Sequence, residues 1–176
     1  MLSRAGVSAP RRLKVTVWRC RNLANKDGWG QKNDPYVTLT VGAEKLKTEA
    51  RDNAGAAPKW PGGSIHVFEA TEGLESLEIR VKDVETIGAN QLIGEHTFDL
   101  AAFIDEDGED GEEDKAMEKT WLQLKDGDDE TGEVMLELTW AAPPAEGEPP
   151  VQAKQIGYPN RPAVCEPCSN VEEGTT

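Results

Sequence analysis

The chain has 176 residues, 37% of them hydrophobic, with 19 basic against 33 acidic side chains and a formal net charge of −14. That length suits one folded domain with appendages, a usual domain taking roughly 100–200 residues, and no apolar run approaches the roughly 18 residues of a membrane-spanning helix. The lack of a basic stripe argues against nucleic acid as a partner, since nothing would displace counterions from phosphates.

The acidity is concentrated. Residues 105–114 (DEDGEDGEED) hold eight acids and residues 126–133 (DGDDETGE) hold five, neither with a base. With these set aside the body is nearly neutral, so both stretches read as solvated loops that keep it soluble. An EF-hand reading fails on spacing. Counting from Asp105, the sixth loop position is Asp110, and counting from Asp126 it is Thr131, where the sharp turn of that motif requires glycine.

In chain order, residues 1–12 (MLSRAGVSAPRR) carry three arginines and no acid and are expected to form a frayed basic arm. From Leu13 to Ala142 short alternating segments are broken by Gly, Asn, Asp and Pro, with no long 3.6-residue period. Leu13, Val15 and Val17 alternate with Lys14 and Thr16. Val37, Leu39 and Val41 alternate with Thr38 and Thr40, and 44–49 follows as a third strand. Segment 64–69 is a fourth, and Leu77, Ile79 and Val81 alternate with Glu78, Arg80 and Lys82 as a fifth. Segments 92–98 and 121–124 come next, and Val134, Leu136, Leu138 and Trp140 mark the eighth. Period two puts each apolar set on one face, and two such sheets bury those faces against each other. The expected fold is therefore all-β, an eight-stranded antiparallel β-sandwich over 13–142. Residues 143–176 are dense in proline and cannot offset the entropy of folding by burial. This tail is expected to be extended, with Val151, Ile156, Tyr158 and Val164 as isolated apolar anchors for a partner.

Catalysis finds little support. The two histidines, His66 and His96, fall on different expected strands, and neither G-x-S-x-G nor a P-loop occurs. The expectation is that the chain is not an enzyme. Three cysteines, Cys20, Cys165 and Cys168, cannot make a disulfide framework, which points to a reducing compartment. Cys165 and Cys168 have C-x-x-C spacing but lack the second ligand pair that a closed zinc site needs.

Two separated loops with carboxylates at strand ends carry the stronger signal. The first runs from Asn22 through Asp27, Gly28, Trp29 and Asn33 to Asp34-Pro35-Tyr36-Val37, and the second from Val81 through Asp83, Glu85 and Ile87 to Gln91-Leu92-Ile93-Gly94. The opening N-L-x-x-x-D, the N-D-P-Y-V close, the V-x-D-x-E run and the L-I-G exit resemble the calcium loops of the C2 domain. The resemblance extends to Pro58-Lys59-Trp60, to Trp121-Leu122-x-Leu124 and to Gly132-Glu133-Val134, covering 13–142. With no strand before Leu13 and one after Glu133, it is similar to the permuted topology of small single-C2 proteins. That form implies that both termini lie opposite the calcium loops and that the 125–132 turn lies beside them.

The resemblance implies a calcium site formed by Asp27 and Asp34 of the first loop, with the carbonyl of Lys26, and by Asp83 and Glu85 of the second, with the carbonyl of Val84. Gln91 falls on the family's fifth acidic position. Glu85 stands where aspartate is usual, and the first loop is one residue longer than the common spacing. Ca²⁺ takes six to eight oxygen ligands in a tolerant geometry, which converging loop carboxylates can supply. The resemblance further implies membrane contact through Trp29 and Ile87 at the loop tips and headgroup contact through Lys45 and Lys47. The functional expectation is a calcium-modulated peripheral module that binds anionic phospholipid. The alternative is a calcium-independent subunit of a protein assembly, cytoskeletal or ciliary for example, tethered by the tail. Either reading expects a cytoplasmic protein, at a membrane or on an intracellular assembly.

Overall fold

The computed structural model describes residues 11–26, 32–70, 75–85, 88–105 and 114–141. All eight expected strands form: β1 (Arg11–Arg21), β2 (Pro35–Val41), β3 (Glu44–Lys47), β4 (Lys59–Ala70), β5 (Ser76–Asp83), β6 (Gln91–Asp99), β7 (Lys115–Asp126) and β8 (Asp129–Ala141). Every pairing is antiparallel, in the order β3-β2-β5-β6-β7-β8-β1-β4. Between β6 and β7 the only registered pair is Glu95 with Lys125, so the ladder divides there into two four-stranded sheets that face each other.

The alternation read from sequence selects the inner faces. Leu13, Val15, Val17, Val37, Leu39, Leu77, Ile79, Val81, Val134, Leu136 and Leu138 are all fully buried, and residues of both sheets join one core cluster. Trp60 at the start of β4 is buried and donates its indole N–H to the carbonyl of Glu49 at 3.0 Å. It thereby ties the free edge of one sheet to the chain that follows β3 in the other.

Several boundaries differ from expectation. β1 begins at Arg11, and β7 and β8 are 12 and 13 residues long, because they form a hairpin whose turn carries ladder pairing out to Asp126 and Asp129. A short helix, α1 (Leu100–Asp105), follows β6. Its six residues are too few to show a helical period in sequence. Asp99 caps it by accepting the Ala102 N–H at 2.9 Å, and Leu100 is fully buried. Among the described residues no helix is long and apolar enough to cross a membrane.

Candidate functional site

Strand register assembles the loop end. Pro35 pairs with Asp83 and Asp83 with Gln91, so Asp34, Asp83 and Gln91 meet at one edge of the β2-β5-β6 ladder although they are distant in sequence. The backbone N–H of Asp34 donates to Asp83 Oδ1 at 2.6 Å, and the Val84 N–H donates to the Asp34 carbonyl at 3.3 Å. Asp83 is fully buried, an arrangement that a carboxylate tolerates only with compensating hydrogen bonds or charge. Asp34 Oδ1 also accepts the N–H of Asn53 at 2.5 Å. Asn53 holds φ 54°, a left-handed turn position that asparagine adopts more readily than most residues.

The start of the first loop is fixed by a residue whose role the sequence did not reveal. Asn33 is buried. Its Oδ1 accepts the Lys26 N–H at 3.0 Å, and its Nδ2 donates to the Ala24 carbonyl at 2.8 Å. Lys26 reaches across to Asp126 with an Nζ to Oδ2 distance of 2.8 Å, and the Ala24 N–H donates to the Thr131 carbonyl at 2.8 Å. The β7–β8 turn therefore sits beside the first loop, as the permuted topology implied. The opposite end of the sandwich carries Arg12 paired with Ala141.

In the second loop Glu85 is held by amides. Its N–H donates to Asn90 Oδ1 at 3.1 Å, Asn90 Nδ2 donates to the Tyr36 hydroxyl at 2.9 Å, and Gln91 Nε2 donates to Glu85 Oε1 at 2.5 Å. Asn90, missed in the sequence, acts as the brace, and a single asparagine in a polar loop gives no pattern by which to find it. Asp27, Trp29 and Ile87 lie outside the described residues, as do Val151, Ile156, Tyr158 and Val164 of the tail. Lys45 and Lys47 are exposed on β3, an edge strand, opposite Thr40 and Thr38.

The donor set suits a hard cation. Asp34, Asp83, Glu85 and Gln91 each carry a side-chain oxygen, the ligand type of Ca²⁺. Asp34 Oδ2 and Glu85 Oε2 accept no hydrogen bond from a described residue. Among the described residues no group of three or more His, Cys, Asp and Glu side chains gathers closely enough to hold a metal, and Asp27 is not among those residues.

The histidines do different work. His66 is buried, with Nε2 at 3.0 Å from Ser64 Oγ; no carboxylate among the described residues orients its ring, and burial lowers its pKa. His96 Nδ1 donates to the Gln123 carbonyl at 2.9 Å across the β6–β7 seam. Cys20 is buried in the core, which pushes its thiol pKa up.

Comparisons with known proteins agree with the fold. The chain is 32% identical over 92 residues to the probable ADP-ribosylation factor GTPase-activating protein AGD13 of Arabidopsis thaliana, a match covering 52% of this chain and 26% of that protein. It is 29% identical over 105 residues to the protein C2-DOMAIN ABA-RELATED 8 of the same plant, covering 57% of this chain and 58% of the relative. The match thus spans less than two thirds of either relative. A solved C2 domain of plant Extended Synaptotagmin 1 superposes with a TM-score of 0.61 at 22% identity, over 78% of this chain and 98% of that one, a likeness of fold. The family model described as the C2 domain matches residues 11–134, and the chain belongs to that family, a module generally involved in calcium-dependent membrane and phospholipid binding.

Proposed function

We propose that the chain is a peripheral module whose loop end binds anionic phospholipid under the control of calcium. The observation that carries this reading is the register that brings Asp34, Asp83 and Gln91 to one sheet edge with Glu85 beside them. Asp34, Asp83 and Glu85 would hold the ion together with Asp27, the Gln91 amide oxygen and the carbonyls of Lys26 and Val84. When bound, the cation would neutralise these carboxylates and offer open coordination positions to lipid phosphate. The chain's own part is electrostatic and steric. Its carboxylates repel an anionic surface while uncompensated, Asn33 and Asn53 hold the first loop at a fixed approach, and Trp29 and Ile87 would enter the headgroup region. Lys45 and Lys47 would add headgroup contacts from the sheet edge.

Co-sedimentation with phosphatidylserine-containing vesicles tests this. The full chain should pellet with millimolar Ca²⁺ and stay in solution with a chelator, and Asp34→Asn should remove the difference. Equal pelleting in both conditions would sink the proposal.

One observation favours a second reading. The flanks of the second loop are bridged by the chain's own amides, Gln91 on Glu85 and Asn90 on both Glu85 and Tyr36, so hydrogen bonds within the chain already engage Glu85. That suits a calcium-independent interaction subunit, for which the same vesicles would pellet none of the protein and a chelator would leave its protein partner bound.

A further inference from the structure

The outer face of the β7-β8-β1-β4 sheet departs from the acidic character of the chain. A register shift between Val17 and Arg19 interrupts the alternation of β1 and turns Trp18, Arg19 and Arg21 outward, away from the buried Val17 and Cys20. Trp18 donates its indole N–H to Glu137 at 3.0 Å, and Lys119 Nζ stands 3.5 Å from the centroid of the Trp18 ring. Beside it, Trp121 is half-buried on β7 opposite Met135. The guanidinium carbons of Arg21 and Arg19 lie 4.0 and 5.2 Å from the Trp121 ring centroid.

Glu133 grips Arg21 through two hydrogen bonds of 2.6 and 2.9 Å, whereas Lys14, Arg19 and Lys119 form no ion pair with a described carboxylate. Ile65, 50% exposed, extends the same face on β4 opposite Thr16. Two indoles with cations seated on them are thus the main features of a surface on a chain of net charge −14.

We propose that this face is the docking surface for the chain's own segment 143–150, lying back along β8 as an extended proline-rich strap. Three observations select that occupant. The described chain ends at Ala141, on β8, between β7 and β1, so the segment emerges at the foot of the face itself. Its sequence, PPAEGEPP, joins four prolines to Glu146 and Glu148 and carries no cation, complementing Lys14, Arg19 and Lys119. Its length is also sufficient. Trp121 is level with Met135, about 20 Å back along β8 at roughly 3.4 Å per residue. Nine residues of polyproline helix at about 3.1 Å each span about 28 Å, which leaves room for a reversal after Ala141.

Proline rings against indoles are the recognition mode of aromatic-lined grooves, and attachment to β8 keeps the effective concentration high. The acidic segment 106–113 has the charge but only Asp, Glu and Gly, with no ring to seat on a tryptophan.

A spin label decides it. The full-length ¹⁵N-labelled chain carries Cys165→Ser and Cys168→Ser, with Ala153→Cys modified by a nitroxide; Cys20 is buried and escapes labelling. The indole N–H signals of Trp121 and Trp18 and the amides of β1 and β8 near them should lose most of their intensity, while those of β2, β3 and β5 keep theirs. The loss should peak at the Trp121 end rather than at the Ala141 end, where a merely tethered tail acts most strongly. Lys119→Glu combined with Arg19→Glu, both at exposed positions, should abolish it, as should replacing Pro143, Pro144, Pro149 and Pro150 with serine. Loss confined to the Ala141 end, or loss that survives the proline replacements, overturns the proposal. Loss seen only when labelled and ¹⁵N chains are mixed assigns the face to a second copy and overturns it equally.

Discussion

Gln91 differs most in consequence from its immediate neighbours. Its side chain donates to Glu85, so the position supplies both an oxygen and a proton donor where the loops otherwise supply carboxylate. Gln91→Asp removes the donor, sets two like charges side by side, and adds a charge that only a cation can relieve. If the loops bind calcium as proposed, this variant should bind it about tenfold more tightly, equivalent to about 1.4 kcal/mol, while melting at a lower temperature without calcium. Calorimetric titration giving the same affinity for both proteins would show that position 91 does not face the ion.

His66 makes a separate prediction. Burial lowers its folded pKa below the ordinary 6.5, so between those two values the unfolded chain binds a proton that the folded chain does not. Its contribution is fully present above pH 6.5 and is lost as pH falls through the folded value. Urea midpoints for the native chain should drop as pH falls below 6.5, and His66→Gln should flatten that part of the profile. Parallel profiles would mean that other groups titrate.

At the level of elements, the β7–β8 hairpin packs against the start of the first loop at a glycine. Gly132 has φ 132°, and a Cβ built there would lie 2.9 Å from the carbonyl oxygens of Arg21 and Asn22 and from the Leu23 Cα. All three are backbone atoms and cannot swing aside. Gly132→Ala should therefore cost at least the roughly 1–3 kcal/mol of a strained backbone, read as a fall in the urea midpoint. Gly127 also has positive φ, 64°, but a Cβ there meets nothing within 4 Å, so Gly127→Ala should cost clearly less. Equal losses would mean that φ strain alone decides and that the close approach of β8 to the first loop is immaterial. The same approach positions Lys26 against Asp126, so hairpin damage should reach the loop end.

For the whole molecule, net charge and its placement oppose the proposed task. The β7–β8 turn brings Asp128, Asp129 and Glu130, all exposed, beside the first loop. These would repel an anionic surface even with the loop carboxylates neutralised, over a range that salt cuts to about 8 Å. Converting the three to Asn, Asn and Gln, with Asp126 left to hold Lys26, should strengthen calcium-dependent vesicle binding at low salt and lose that advantage as salt rises. Vesicle binding that is unchanged across the salt series would place the turn outside the contact.

The sequence by itself determined the all-β, two-layer architecture, because period-two alternation gives each strand one apolar face that a second sheet can cover; Leu136 and Leu138 are buried where the pattern puts them. The resemblance of its local loop motifs to the C2 family also singled out Asp34, Asp83, Glu85 and Gln91. Tertiary structure decided what those motifs could not contain. Register brought Asp34, Asp83 and Gln91 together, and Asn53, from a separate turn, supplies the N–H that holds Asp34. Lys26 met Asp126 from 100 residues away. The bulge in β1 turned Trp18, Arg19 and Arg21 outward onto a common surface with Trp121, a relation absent from any local window. A strand's pattern fixes which side of a residue is wet, whereas its neighbours are set by pairing between distant segments, and the chemistry of a site depends on those neighbours.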